Sequence, residues 1–151
     1  MILRKPARQA LKILQYLAKD PNRRVGCKEL ARQCGTAPAN LTEVLSGLAR
    51  HGVVRTTRGP RGGYSLARSS REVNLREVVE IAHGPLFDNE CILHEGPCFK
   101  YAACPVHAVW MQAQEELMRT LGRLTLADLT FKLEGAQAVD RLLADLEAER
   151  S

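Results

Sequence analysis

At Gly52 the spacing of apolar residues changes from the 3.6-residue repeat of a helix to the two-residue repeat of a strand, which excludes most folds open to a helical start. Upstream, Leu11, Leu14, Leu17 and Ala18 share one face of a first helix from about Pro6 to Lys19, ended by Asp20-Pro21-Asn22. CKELARQC, Cys27 to Cys34, forms a two-turn helix with Leu30 and Ala31 inward and Gly35 as its stop. A third helix is expected from about Pro38 to His51, with Leu41, Val44, Leu45 and Leu48 on its apolar face. Downstream, VVRTTRGPRGGYSLA gives a strand from Val53 to Thr56, a Gly/Pro turn at Arg58 to Gly63, and a returning strand from Tyr64 to Leu66.

Two short helices around a Gly-containing turn make a helix-turn-helix, whose second helix enters the major groove of DNA. A basic hairpin directly after it makes a winged helix. The expected fold is therefore mainly α with a small β-hairpin wing: a winged helix-turn-helix head and a long C-terminal dimerisation helix. A fourth helix is expected over residues 71–83, with Leu75, Val78, Val79 and Ala82 on one face and Gly84-Pro85 as its end. After Pro105 a longer helix runs to about Leu124, and Val106, Trp110, Ala113, Leu117, Thr120 and Leu124 recur by four and three along it. That stripe is a helix-pairing seam, read as a homodimer interface because it is too long for the small preceding domain to cover. TLADL opens with a Thr-x-x-Asp capping pattern at Thr125, and a last amphipathic helix follows Gly135. The expected division is 1–83 for the DNA-binding domain, 84–105 for a cysteine loop, and 106–151 for the dimerisation helix and C-terminal helical segment.

Charge points to the partner. Residues 1–71 hold 15 Lys+Arg against 3 Asp+Glu, a net of +12, whereas residues 72–151 hold 7 against 14, a net of −7. So sharp a segregation is the electrostatic footprint of a polyanion on the first half. Arg58 and Arg61 at the wing and Arg4, Lys5 and Arg8 on the first helix are the expected phosphate contacts. Ala39, Asn40, Thr42 and Glu43 lie in the first turns of the recognition helix, where Asn reads adenine and Thr touches a thymine methyl. Two such heads on a dimer fit a pseudopalindromic site on double-stranded DNA. No nucleophile, base and orienter set and no phosphate-cradling loop suggests an enzyme. No stretch reaches the about 18 uninterrupted apolar residues of a membrane span, and no secretory signal opens the chain, so a cytoplasmic protein without a membrane partner is expected.

CILHEGPCFKYAACPVH, from Cys91 to His107, crowds three of the five cysteines and two of the four histidines into one loop. Cys91, Cys98 and Cys104, with His107 three residues beyond the last, make four candidate ligands. Thiolates with an occasional histidine suit an iron-sulfur cluster, and Gly96, Pro97 and Pro105 suit a loop around a bulky cofactor. A zinc staple and an unliganded thiol switch are the other readings of this spacing, which lacks the paired knuckles of most structural zinc sites. His94, Glu90 and Glu95 read as solvated loop residues, His51 and His83 as partners of helix C-termini, and Cys27 and Cys34 as small buried hydrophobes. A third class, an iron-sulfur carrier with no DNA role, would not need a basic helix-turn-helix half.

In order along residues 1 to 130, the CKELARQC-GTAPANLTEVLSGLARHGVV unit, the RTTRGPRGGYSLAR wing, the LREVVEIAHG helix, the cysteine triplet and TLADL resemble the bacterial iron-sulfur winged-helix regulators that include IscR, NsrR and RirA. The resemblance implies a homodimeric transcription regulator whose cluster, beside the dimer helix, changes DNA affinity when assembled, oxidised, nitrosylated or lost. His107 in HAVW matches the arrangement in which three cysteines and a histidine hold a [2Fe-2S] cluster. Where [4Fe-4S] members use an N-terminal aspartate of the partner chain, this chain has Arg8, which favours [2Fe-2S] over [4Fe-4S]. Two departures stand out: the first cysteine gap is six residues rather than five, and Thr42 replaces an acidic residue of the recognition helix.

Overall fold

A computed structural model describes residues 3–84, 91, 93, 103–130 and 148. Helix α1 spans Lys5–Leu17, α2 Cys27–Cys34, α3 Thr42–Arg50, α4 Leu75–His83, α5 Pro105–Arg123 and α6 Leu126–Thr130; β1 is Val54–Thr57 and β2 is Gly63–Leu66. The expected class, helical with a two-stranded wing, is what forms. Among the described residues no helix is long and apolar enough to cross a membrane.

One aliphatic core organises the head. Ala10, Ile13, Leu14 and Leu17 of α1 meet Leu30 and Ala31 of α2, Leu45 and Leu48 of α3, Val53 and Val54 at the wing base, and Val78 of α4. The apolar stripes read from the sequence for α1 to α4 are buried in this head, because burying those side chains is the main gain that offsets chain ordering. Gly35 ends α2 at φ 65°, in the left-handed conformation expected of it.

Two local expectations are corrected. The stretch from Pro38 to Leu41 is a 3-10 turn, and regular α-helix begins at Thr42. Pro38 sits within its first turn, where a missing N–H costs no helix bond. The fourth helix starts at Leu75 rather than near Arg71. Asn74 caps it by accepting from the N–H groups of Arg76 at 2.8 Å and Glu77 at 3.4 Å, so the chain before Asn74 forms turns instead.

The wing has a third rung. β1 and β2 pair antiparallel with Val54 opposite Leu66 and Thr56 opposite Tyr64. Val25 pairs with the free edge of β2 through two 2.8 Å bonds with Tyr64. Gly63 makes that approach possible: at φ +148°, a Cβ there would stand 2.8 Å from the Val25 carbonyl oxygen.

The C-terminal elements are stitched to the head. Leu75 N–H donates to Leu124 O at 2.9 Å, Leu126 N–H to Val73 O at 2.8 Å, and Ala127 N–H to Ser70 O at 3.0 Å. The Asn74 amide nitrogen donates to Gly122 O. Leu126 is fully buried in the head core, and Thr125 opens α6: its N–H donates to the Asp128 carboxylate, one half of the capping pattern, and its hydroxyl donates to the same oxygen instead of accepting from the Asp128 N–H. Gly63→Ala is expected to lower stability by about 1 to 3 kcal/mol, the range for a side chain forced into a disfavoured backbone region. A urea unfolding midpoint measures it.

Candidate nucleic-acid interface and cysteine loop

The recognition element is built by burial on one side alone. Val44, Leu45, Gly47 and Leu48 of α3 face the core, which leaves Thr42 and Glu43 exposed, with Ala39 and Asn40 exposed on the preceding 3-10 turn. Asn40 donates its side-chain N–H to Thr36 Oγ1 at 3.1 Å, and the Cys27 thiol donates to Pro38 O at 3.7 Å, so both ends of the turn are tied to α2 or its connection. Ser46 and Arg50 continue the exposed face; the sequence reading missed them because it favoured the first turns of the helix.

Arg58 and Arg61 project from the exposed wing tip, where Gly59 at φ +106° and the Gly62 N–H to Gly59 O bond of 2.9 Å shape the turn. Neither has an ion-pair partner among the described residues. Arg4, Lys5 and Arg8 are exposed at the start of α1. The wing is anchored at its exit by Arg68, which donates to Gly52 O at 3.3 Å and pairs with Glu77 of α4 at 2.5 Å. On the opposite flank the Tyr16 hydroxyl donates to Glu29 at 2.6 Å, and with Arg23 it holds that carboxyl below the usual carboxylate range. This tie between α1 and α2 is present above the unfolded carboxylate pKa and is lost as pH falls through the lowered one.

Around the cysteine loop, the structure describes Cys91, Cys104 and His107, while Cys98 and the alternative ligands His94, Glu90 and Glu95 lie outside the described residues. Cys91 and Cys104 are free, half-buried thiols, and Cys91 Sγ accepts from the Leu93 N–H at 3.4 Å. Cys104 is the N-cap residue of α5, and His107 follows in the first turn. Among the described residues no three Cys, His, Asp or Glu side chains converge as a metal group. The donor types nevertheless fit a cluster: soft thiolates plus an imidazole one turn away.

His107 shares its helical face with Met111, Gln114 and Met118, and Met118 is buried against Ala7 of α1 and Val79 of α4. The expected pairing stripe lies on an adjoining face: Val106 and Ala113 are exposed, and Trp110, Leu117 and Leu124 are half-buried. Val109, beside the stripe, is 67% exposed. Cys27 and Cys34 are half-buried and packed against the head core. His51 Nδ1 lies 2.9 Å from Gly47 O at the end of α3, as expected of a C-terminal histidine.

A recognition helix behind a basic wing, with a long helix docked on the head, defines a DNA-binding winged-helix transcription regulator. The chain belongs to the Rrf2 family, iron-dependent transcriptional regulators, whose family model matches residues 3–132. It is 30% identical over 135 residues to the HTH-type transcriptional regulator NsrR of Halalkalibacterium halodurans, covering 88% of this chain and 92% of that protein. In fold it matches IscR of T. potens with a TM-score of 0.67 at 23% identity, covering 89% and 90% of the two chains. The oxidised form of Staphylococcus aureus CymR matches with a TM-score of 0.69 at 22% identity, covering 89% of this chain and all (100%) of that one. Its relatives are transcription regulators, not enzymes, in line with the expectation from sequence.

Burial pushes the Cys34 thiol pKa up, with Lys12 only partly opposing it. Since the thiolate is the reacting form, Cys34 is expected to alkylate several-fold more slowly than a free peptide thiol at pH 7, as followed by mass spectrometry with iodoacetamide.

Proposed function

We propose that the chain is a homodimeric regulator that reads iron-sulfur, redox or nitric-oxide status through a cluster held by Cys91, Cys98, Cys104 and His107, [2Fe-2S] in preference to [4Fe-4S]. The observation that carries this reading is the position of the described ligands: Cys104 and His107 begin the helix whose next turns are docked on the DNA-binding head through Met118. The family description as iron-dependent regulators supports it. When bound, such a cluster supplies a centre whose charge and ligation change with oxidant, iron supply or nitric oxide.

The residues of this chain provide the route from loop to DNA. The loop leaves α4 at Gly84 and enters α5 at Cys104. Ile81, in the last turn of α4, stands where its Cγ2 would be 3.5 Å from a Cβ on Gly47, in the middle of the recognition helix. With the other ends of α4 and α5 joined through Asn74, a change in the loop tilts α4 against α3. Val106, Trp110, Ala113, Leu117 and Leu124 pair the two protomers and set the spacing of two heads along a pseudopalindrome. Arg4, Lys5, Arg8, Arg58 and Arg61 hold phosphates, and Ala39, Asn40, Thr42 and Glu43 read bases.

Visible absorption of anaerobically purified protein tests the cofactor: a cluster absorbs, whereas zinc or bare thiols do not. His107→Ala is expected to change or bleach that spectrum, and a colourless wild-type protein overturns the cluster. Cluster-loaded and cluster-free dimers should differ about 5- to 150-fold in operator affinity by fluorescence anisotropy, the range of ordinary allosteric coupling. Equal affinities would remove the sensing role. Replacing Arg58 and Arg61 by Gln should weaken binding to all sequences alike and reduce the salt slope by about one for each phosphate no longer neutralised.

A further inference from the structure

The back of the wing carries a feature that the recognition helix and wing tip do not use. Val25 pairs with Tyr64 of β2, so the next register position sets Arg24 opposite Ser65, and Ser65 pairs in turn with Arg55 of β1. Arg24, just before the single Val25 rung, therefore continues the register row of Ser65 and Arg55 across the two-stranded wing, on the face turned away from the core that Val54 and Leu66 enter. Neighbouring strands lie about 4.8 Å apart, which puts the two arginine Cα atoms about 10 Å apart with a hydroxyl between them.

Around this row lies an open groove of about 340 Å³, lined as well by Asn22 of the α1–α2 connection and by Arg68 and Ser69 after the wing. Arg68 is already paired with Glu77. Arg24 and Arg55 have no acidic partner among the described residues, although two like charges facing one groove repel each other. Guanidinium groups match phosphate oxygens in pairs, and hydroxyl and amide donors from Ser65 and Asn22 suit the remaining oxygens.

We propose that this groove is a phosphate-binding site distinct from the recognition surface, in which Arg24 and Arg55 clasp one phosphate group over Ser65. The same chemistry has two sources, a backbone phosphate of DNA flanking the operator core or the phosphate of a free small molecule, and the volume admits a compact ligand of the second kind.

The test uses the full-length, 15N-labelled protein purified anaerobically and titrated with inorganic phosphate, against sodium chloride at matched ionic strength. The amides of Arg24, Arg55 and Ser65 are expected to shift saturably with phosphate alone, with at least fivefold weaker binding in Arg55→Gln and Arg24→Gln. Shifts that chloride reproduces, that fail to saturate, or that survive both substitutions overturn the site. A duplex extending several base pairs beyond the operator, in phosphate-free buffer, identifies the source. A DNA phosphate predicts that Arg55→Gln lowers the salt slope of binding by about one, whereas a small-molecule phosphate predicts an unchanged slope. Either result requires the saturable phosphate shifts, and the site stands or falls on them whether or not the chain carries a cluster.

Discussion

The rest of the structure depends on a short backbone seam between the segment after the wing and the junction of α5 and α6. Three main-chain bonds from Ser70, Val73 and Leu75 to the stretch between Leu124 and Ala127, with the Asn74 side chain reaching Gly122, close the head against its own C-terminal helices. Asn74 serves two elements at once: its oxygen caps α4 and its nitrogen fixes the end of α5. Bonds of this kind individually contribute about 1 kcal/mol, and their effect here comes from acting together with the burial of Leu126 in the core. The seam acts together with the contacts of Met118 against Ala7 and Val79, which dock the middle of α5 on the head.

That arrangement gives the loop its leverage. In the proposed function, two helices pinned at one end and connected at the other by the segment that carries the proposed ligands convert a change in that segment into an angle. α4 lies against both α1 and α3, which puts the proposed lever beside the recognition helix and the basic N-terminal helix. The net charge of +12 over residues 1–71 supplies attraction to DNA that does not depend on the loop.

Much of the fold was legible because it rests on patterns that repeat. The stripes of α1 to α4, the Gly35 stop, the wing and the Thr125 cap each follow from spacing or turn chemistry that does not depend on distant residues. What escaped depends on contacts remote in sequence. Val25 is a single-residue rung with no two-residue alternation around it, so the row of Arg24, Ser65 and Arg55 emerges only from register. Met118 is the buried anchor of α5, yet Leu117 beside it belongs to an equally apolar stripe, and periodicity alone does not rank two adjoining faces. The 3-10 turn at Pro38 was hidden for a similar reason: its Leu41 falls in phase with the α-helical stripe that follows. Of the proposed ligands, Cys91, Cys104 and His107 sit at the margins of the loop, and the grouping of all four rests on sequence.

The recognition helix divides its labour cleanly around its circumference. Val44, Leu45, Gly47 and Leu48 bear on the core and on Ile81, while Thr42, Glu43, Ser46 and Arg50 are exposed. Substitutions on the outer set therefore carry little folding penalty. The surface that the fold leaves open on α3 is thus free to vary from one relative to the next while the architecture beneath it stays the same.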